Sequence, residues 1–241
     1  MRAKNVTAHI TKIAFPDELL PSVRRLNDLI LECINEKGVP VDSGFFDLDS
    51  DQIDESLDLA LFYIRWISSV NEVINNLNIV LEDLISLPSK YFLFPGLPDD
   101  RYYLLLRTYF HEFYRFREIH NRIVKESAMR GIIKKSQVDS HRKEFHTAFK
   151  EAIELRNTLV HATPIWTGKQ HFNLALHGMA VKNGFGLKDV KTGEMCDIKN
   201  ALEDACEHVF VILQDEGHRM SVIVQKLVNW HLQVANSKPS S

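Results

Sequence analysis

Cysteine is scarce in this chain, and long hydrophobic runs are missing. The three cysteines are an odd number and form no CxxC pair, which argues against a disulfide framework and suits a reducing compartment. The first fifteen residues hold no apolar core of signal-peptide length, and the apolar segment LDLALFYIRWI is interrupted by Arg65. We therefore expect a soluble, cytoplasmic protein with no membrane span and no membrane partner.

The motifs of common metal and nucleotide sites are missing as well. His111-Glu112 is not followed by the second histidine of HExxH, no Glu-x-x-His pair occurs, and no Cys/His cluster has zinc spacing. The phosphate-cradling loops GxxxxGK[ST] and GxGxxG and the nucleophile elbow GxSxG are also absent. The sequence predicts no metal site and no cofactor, and it does not support a serine hydrolase.

Charge is distributed unevenly along the chain. The 241 residues carry a formal net charge of −3, but residues 101–150 hold twelve Lys and Arg against five Asp and Glu. This segment therefore carries +7, and the remaining residues carry −10. Two interpretations are open, because such a segment either attracts phosphate or forms the solvated face of a helix.

Apolar residues recur every three or four positions over most of the chain, a pattern that predicts amphipathic helices. The predicted helices cover about 22–36, 52–86, 99–129, 139–161 and 197–235. Proline is expected to stop the second helix at Pro88 and the fourth at Pro164, and the last helix can bend at Gly217.

A different pattern occupies residues 170–192. The short segments HFNLALHGMAV and GFGLKDV alternate in part between apolar and polar residues, and Lys182-Asn183-Gly184 separates them. Because Asn-Gly is a strong turn signal between strands, we predict a β-hairpin here.

These elements predict an all-α fold. Four long helices with short connections form an up-and-down four-helix bundle, with an extra N-terminal helix and a small β-hairpin inserted before the last helix. The predicted organisation is an N-terminal helix and loop over residues 1–49, the bundle over 50–236, and a polar tail over 237–241.

The segment ELRNTLVHATP, residues 154–164, places polar side chains on the fourth predicted helix. Arg156 falls in line with the apolar stripe of that helix, and Asn157 and His161 share a face because they are four residues apart. Arg156 and His161 are about 140° apart around the helix and ~7.5 Å apart along it. They converge on one phosphate only if the helix end distorts or a second copy of the motif faces the first. The alternative is structural, with His161 complementing the helix dipole and Arg156 pairing with Glu151 or with a neighbouring helix.

The pattern Arg156-Asn157-x-x-x-His161, near the end of a bundle helix with one more helix after it, resembles the R-x4-6-H motif of the HEPN superfamily. The resemblance covers the four long helices, roughly residues 50–236. It implies a helical bundle that works as a homodimer, with both motifs lining a shared cleft. The N-terminal helix and the predicted hairpin depart from a minimal bundle of this kind.

The activity that the resemblance implies is metal-independent cleavage of single-stranded RNA, leaving 2′,3′-cyclic phosphate ends. The resemblance also implies a role as a toxin or defence effector. His161 would transfer protons, Arg156 would stabilise charge on the phosphate, and Asn157 would orient the histidine or a phosphate oxygen. Five basic residues are expected to hold the RNA backbone. They are Arg107, Arg115, Arg122, Lys134 and Lys135.

Two other functions remain open at this point. One is a catalytically silent HEPN module that binds RNA or nucleotides, and the other is a structural or regulatory helical protein. Some HEPN proteins work with a nucleotidyltransferase or an antitoxin, so such a partner is a further expectation from the resemblance.

Overall fold

Helices account for most of the structure. The computed structural model describes residues 9–38, 53–154, 169–188 and 191–236, and no β-strand occurs within these ranges. In chain order the α-helices are α1 (Leu20–Lys37), α2 (Glu55–Lys90), α3 (Pro98–Met129), α4 (Val138–Ala148), α5 (Lys169–Lys182) and α6 (Ile198–Asn236). The predicted all-α class is confirmed for the described residues. None of the described helices combines the length and apolarity needed to cross a membrane.

The chain divides into two compact units. The smaller is Ile13–Asn71, and the larger joins Met1–Lys12 to Glu72–Ser241. The division falls within α2. The predicted boundary at residue 49 lies outside the described residues. The predicted tail at 237–241 also lies outside them.

In the smaller unit, Asp54 determines where α2 begins. Its carboxylate accepts a hydrogen bond from the backbone N–H of Leu57 at 3.0 Å, the arrangement of a helix N-cap, and it also pairs with Arg25. The Leu57 N–H and the Arg25 guanidinium both lower the pKa of Asp54. Further along α2 an aromatic cluster of Phe62, Tyr63 and Trp66 is buried.

In the larger unit, α3 packs against α4, α5 and α6, and α5 packs against α6. Buried aromatic side chains of α3 supply much of the contact, and Tyr109 also donates a hydrogen bond to the carbonyl of Leu213 on α6 at 2.5 Å. Asn76 of α2 donates to the Glu112 carboxylate of α3 at 3.1 Å. These contacts fix α3 as the helix that the other elements of this unit share.

Residues 9–12 form a strip without regular secondary structure that belongs to the larger unit. Ile10 donates its N–H to the side-chain oxygen of Asn78 at 2.7 Å and accepts from the Asn78 amide at 3.1 Å. Ser221 of α6 donates to the carbonyl of Thr11. A Cβ at Gly217 would overlap the Ile10 side chain, so this glycine allows close packing. The helix α6 runs through Gly217 without interruption.

The sequence predicted that Pro88 stops the second helix, but the structure shows that it does not. It lies inside α2, which continues to Lys90 and is followed by a 3-10 helix, Tyr91–Leu93. A proline so close to a helix end removes only one hydrogen bond of the last turns, which limits its cost. The predicted boundary was two to four residues too early.

The prediction of a β-hairpin at 170–192 is wrong. Residues 169–182 form α5, and only an isolated antiparallel bridge, Lys188 with Met195, follows it. Asn183-Gly184 ends the helix instead of turning a hairpin. Gly184 has φ 73° and donates to Val181 at 3.1 Å, while Phe185 donates to Ala180 at 2.8 Å. These two bonds form a Schellman motif, in which glycine closes a helix.

The prediction of one continuous helix over 139–161 also needs correction. The helix α4 ends at Ala148, and Phe149 has φ −122° and ψ 24°, outside helical values. The chain is helical again over 150–154, and the residues after 154 up to 168 lie outside the described part. The buried Phe149 ring packs among three other phenylalanine rings, and this packing accompanies the break.

Candidate nucleic-acid interface

A groove runs between α3 and α4 in the larger unit. The two helices are joined by a short turn and a 3-10 helix, Lys135–Gln137, and the buried Ile132 and Ile133 anchor this turn. Ring contacts show that the helices are antiparallel, because His120 stacks on Phe145 at 4.3 Å and the earlier Phe113 meets the later Phe149 at 5.2 Å. The aromatic residues therefore hold the two helices side by side.

The groove has a volume of about 640 Å³, within the range of roughly 300–1,000 Å³ that is usual for ligand sites. Its walls consist mainly of basic side chains at helical spacing. From α3 come Arg117, Glu118, Asn121, Arg122 and Lys125, and from α4 come Arg142, Lys143, Phe145 and His146. Five Lys and Arg therefore face one carboxylate, and the groove has a strongly positive potential.

Several of these cations are available to a ligand. Arg122, Lys125 and Lys143 are exposed to solvent. Arg142 is half-buried, with a guanidinium nitrogen 3.9 Å from Asp139, and its Nε is buried without a hydrogen-bond partner in the described part of the chain. Because a buried donor without a partner is costly, a ligand oxygen at this position would be favourable. The arrangement suits a phosphate-bearing polyanion.

The structure places the five predicted RNA-binding residues in three different settings. Arg122 alone lines the groove. Arg115 forms ion pairs with Glu72 at 2.8 Å and Glu112 at 3.5 Å. The hydrogen bond to Glu72 is the main cause that raises the pKa of Arg115. Its charge is thus already compensated by two carboxylates, one on α2 and one on α3.

The other three predicted residues are exposed but do not line the groove. Arg107 lies fifteen residues before Arg122 on α3, which is ~22 Å along a helix. Lys134 and Lys135 lie in the turn between α3 and α4.

The sequence prediction did not select several groove residues, among them Arg117, Lys125, Arg142, Lys143 and His146. The spacing of these residues in the sequence could have indicated them. Arg142 and His146 are four residues apart, as are Arg117, Asn121 and Lys125 in succession, so each set occupies one helix face. What the pattern could not show is that these two faces point towards the same groove.

The predicted catalytic residues Arg156, Asn157 and His161 lie outside the described residues, which end at Glu154 before this segment. Glu154 closes the helical stretch 150–154, which follows α4 directly after the break at Phe149. The groove and the motif are therefore separated by only ten positions of chain, from His146 to Arg156.

Buried histidines lie behind the groove. The His120 ring is 6% exposed and stacks on Phe145, a groove residue. Burial lowers the pKa of His120 to about 4. A hydrogen bond with the His141 backbone opposes this shift, while the charges of His141 and Arg142 add to it. His231 of α6 lies 3.3 Å from the Ser127 hydroxyl, and burial lowers its pKa to about 3. Neutral imidazoles thus form part of the packing between α3, α4 and α6.

His120 is expected to make the protein less stable in acid. Its ordinary pKa is 6.5, so between pH 6.5 and about 4 the unfolded chain binds a proton that the folded protein does not. The free energy of unfolding therefore falls as the pH drops through this window, and the contribution is complete above pH 6.5. In His120→Gln, the free energy of unfolding should depend less on pH, by up to about 1.4 kcal/mol per pH unit. Urea unfolding at several pH values measures this dependence. An unchanged dependence would show that His120 is not kept neutral.

No group of three or more His, Cys, Asp or Glu side chains is arranged to hold a metal ion among the described residues. Comparison with known proteins finds no matching family model, no matching curated protein and no matching solved structure.

Proposed function

We propose that this protein binds single-stranded RNA in the groove between α3 and α4 and cleaves it without a metal ion. The observation that carries the binding is the groove itself, in which five Lys and Arg side chains face one carboxylate. The cleavage part is supported by the sequence motif Arg156-Asn157-x-x-x-His161 and its resemblance to HEPN proteins.

The groove would hold the RNA through its phosphates. Basic side chains on two antiparallel helices offer a track of cations, and a single strand is pliable enough to follow it. Arginine at positions 117, 122 and 142 suits phosphate because the guanidinium donates two parallel hydrogen bonds. Such contacts orient the strand but do not depend on its sequence.

The chemical step uses the RNA's own 2′-hydroxyl. Its oxygen attacks the adjacent phosphorus, the bond from phosphorus to the 5′-oxygen breaks, and the fragments carry a 2′,3′-cyclic phosphate and a free 5′-hydroxyl. His161 transfers a proton, either from the nucleophile or to the leaving oxygen, and water exchanges the balancing proton. Arg156 stabilises the additional negative charge on the phosphate, and Asn157 orients His161 or a phosphate oxygen.

The same resemblance implies a homodimer in which two motifs share one cleft, and a nucleotidyltransferase or antitoxin as a partner. The 140° separation of Arg156 and His161 supports the dimer, because two copies can supply what one helix does not bring together.

The binding proposal is tested by reversing charge inside and outside the groove. The double variant Arg122→Glu with Lys143→Glu should weaken RNA binding. It should also make the negative slope of log K against log salt shallower by about 1.4, since each phosphate contact of a single strand contributes ~0.7 to that slope. Lys134→Glu with Lys135→Glu makes the same charge change in the turn beside the groove. Fluorescence anisotropy at several salt concentrations measures both effects. An equal loss in the two double variants would mean that net charge, and not the groove, determines binding.

The cleavage proposal is tested on labelled single-stranded RNA in the presence of EDTA. We expect cutting to continue in EDTA and to stop when the nucleotide on the 5′ side of the cut lacks its 2′-hydroxyl. The 5′ fragments should end in cyclic phosphate. Binding without any cutting would leave the catalytically silent module as the function.

A further inference from the structure

One side chain in the groove does not suit phosphate binding. Glu118 is exposed on α3 and is the only carboxylate among the described residues that line the groove. Arg122 follows it by four positions, the spacing of a favourable helix ion pair. Even so, Glu118 forms neither an ion pair nor a hydrogen bond within the described ranges of the chain. Its carboxylate oxygens are therefore available to a ligand.

A carboxylate in this position opposes the binding of a bare phosphate chain, since like charges repel. The same carboxylate contributes favourably to RNA binding when it accepts hydrogen bonds from a nucleobase. Ionised carboxylates accept on both oxygens and take paired donors in a bidentate arrangement. The bases of a single strand offer their Watson–Crick edges to such contacts.

Guanine is the base that fits a bidentate carboxylate. On its Watson–Crick edge, N1–H and the N2 amino group are adjacent donors that point in the same direction. Adenine and cytosine place one amino group beside a ring acceptor, and uracil places one N–H between two carbonyls. Asn121 follows Glu118 by three positions, ~4.5 Å along α3, and lines the same groove. Its amide can donate to guanine O6, next to N1.

We propose that Glu118, with Asn121 beside it, makes the groove selective for single-stranded RNA that carries an unpaired guanine. This inference rests on the proposed binding of RNA in the groove. The neighbouring cations hold the phosphates on either side, and Glu118 reads the base between them.

The test uses the full chain and 2′-O-methyl oligonucleotides, which cannot be cleaved through a 2′-hydroxyl. The probes are a uridine 12-mer and the same 12-mer with a single central guanine, adenine, cytosine or inosine. The guanine probe should bind about 10-fold more tightly than the others, the discrimination of one bidentate base contact. Inosine keeps N1–H but lacks the N2 amino group, so it should lose most of this advantage.

Glu118→Gln supplies the decisive variant. Glutamine has one carbonyl oxygen and an NH2 group that only donates, so it cannot accept from both guanine N–H groups in a bidentate arrangement. The guanine preference should therefore disappear, while the uridine 12-mer should bind more tightly because a negative charge is gone. Glu144→Gln is the matched control. It removes an exposed carboxylate on α4 that accepts from Ser140 at 2.9 Å and does not line the groove, and it should keep the preference.

The outcomes separate this inference from the proposed function. Equal binding of all five probes by the unmodified protein, or a guanine preference that persists in Glu118→Gln, would overturn the role of Glu118 and leave RNA binding intact. Failure of every probe to bind would overturn the proposed function together with the inference.

Discussion

Replacing His161 by alanine is expected to slow RNA cleavage about 100-fold or more, with little change in RNA affinity. In the proposed reaction this imidazole carries the proton that must leave the 2′-hydroxyl or reach the 5′-oxygen, and a positioned proton carrier of this kind contributes ~10²–10⁴ in rate. Arg156→Ala should cause a loss of similar size, because it removes a preorganised charge contact to the phosphate. Single-turnover cleavage at saturating protein measures the chemical step separately from binding.

The matched control is His111→Ala, since His111 is exposed on α3 and does not line the groove. All proteins are purified in the same way, so that a contaminating nuclease would be visible as equal cleavage by wild type and His161→Ala. Such equality would remove His161 from the mechanism. If His161→Ala instead lost most of its thermal stability, the structural role for this histidine would be favoured.

Replacing Phe149 by alanine is expected to lower the free energy of unfolding by about 3–5 kcal/mol, the usual cost of truncating a buried phenylalanine. The ring is 1% exposed and lies 5.2 Å from Phe113, 6.0 Å from Phe116 and 4.9 Å from Phe145, measured between centroids. The guanidinium of Arg219 lies 5.4 Å from the ring centroid. Alanine would leave a cavity where α3, α4 and α6 meet, and urea unfolding monitored by circular dichroism measures the loss.

Phe185→Ala makes the same chemical change at a ring that is 70% exposed, after the end of α5. It should alter the free energy of unfolding by no more than about 0.5 kcal/mol. A loss below ~1 kcal/mol for Phe149→Ala would show that the four phenylalanine rings do not form a cooperative core. It would also mean that these rings contribute little to holding the groove walls together.

The long helices could be predicted from the sequence because their apolar residues follow the helical period over many turns. The prediction for α3, 99–129, differs from Pro98–Met129 by one residue at its start. The break at Phe149 could not be predicted, because the apolar spacing continues through it. The ring contact with α3 that accompanies the break comes from a distant part of the chain, and the local sequence does not reveal it.

The error at 170–192 has a different cause. Asn-Gly adopts positive φ, and both a hairpin turn and a helix C-terminus use that conformation. Leu174, His177 and Gly178 are buried at helical spacing, but the segment is short and the surrounding residues obscure the pattern. Local turn chemistry was therefore compatible with two structures, and the packing of α5 against α3 and α6 favours the helix.

The basic segment could be located from composition, while its individual contacts could not. Every described residue that lines the groove falls within the +7 segment 101–150. Which cations face the groove depends on carboxylates from distant parts of the chain. Arg115, for example, forms an ion pair with Glu72, which lies forty-three positions away in the sequence, and no local pattern reveals this pairing.

The contacts of the strip at residues 9–12 can form only in a certain order while the chain is being translated. The hydrogen bond from Ser221 to Thr11 joins residues 210 positions apart, whereas the bonds between Ile10 and Asn78 span 68 positions. At ~5–20 residues per second, a ribosome needs about 10–40 s to reach Ser221 after adding Thr11. During that interval the strip can be bound by Asn78 of α2, but Ser221 and Gly217 do not yet exist. We therefore expect the strip to be secured in two stages, first by α2 and only later by α6.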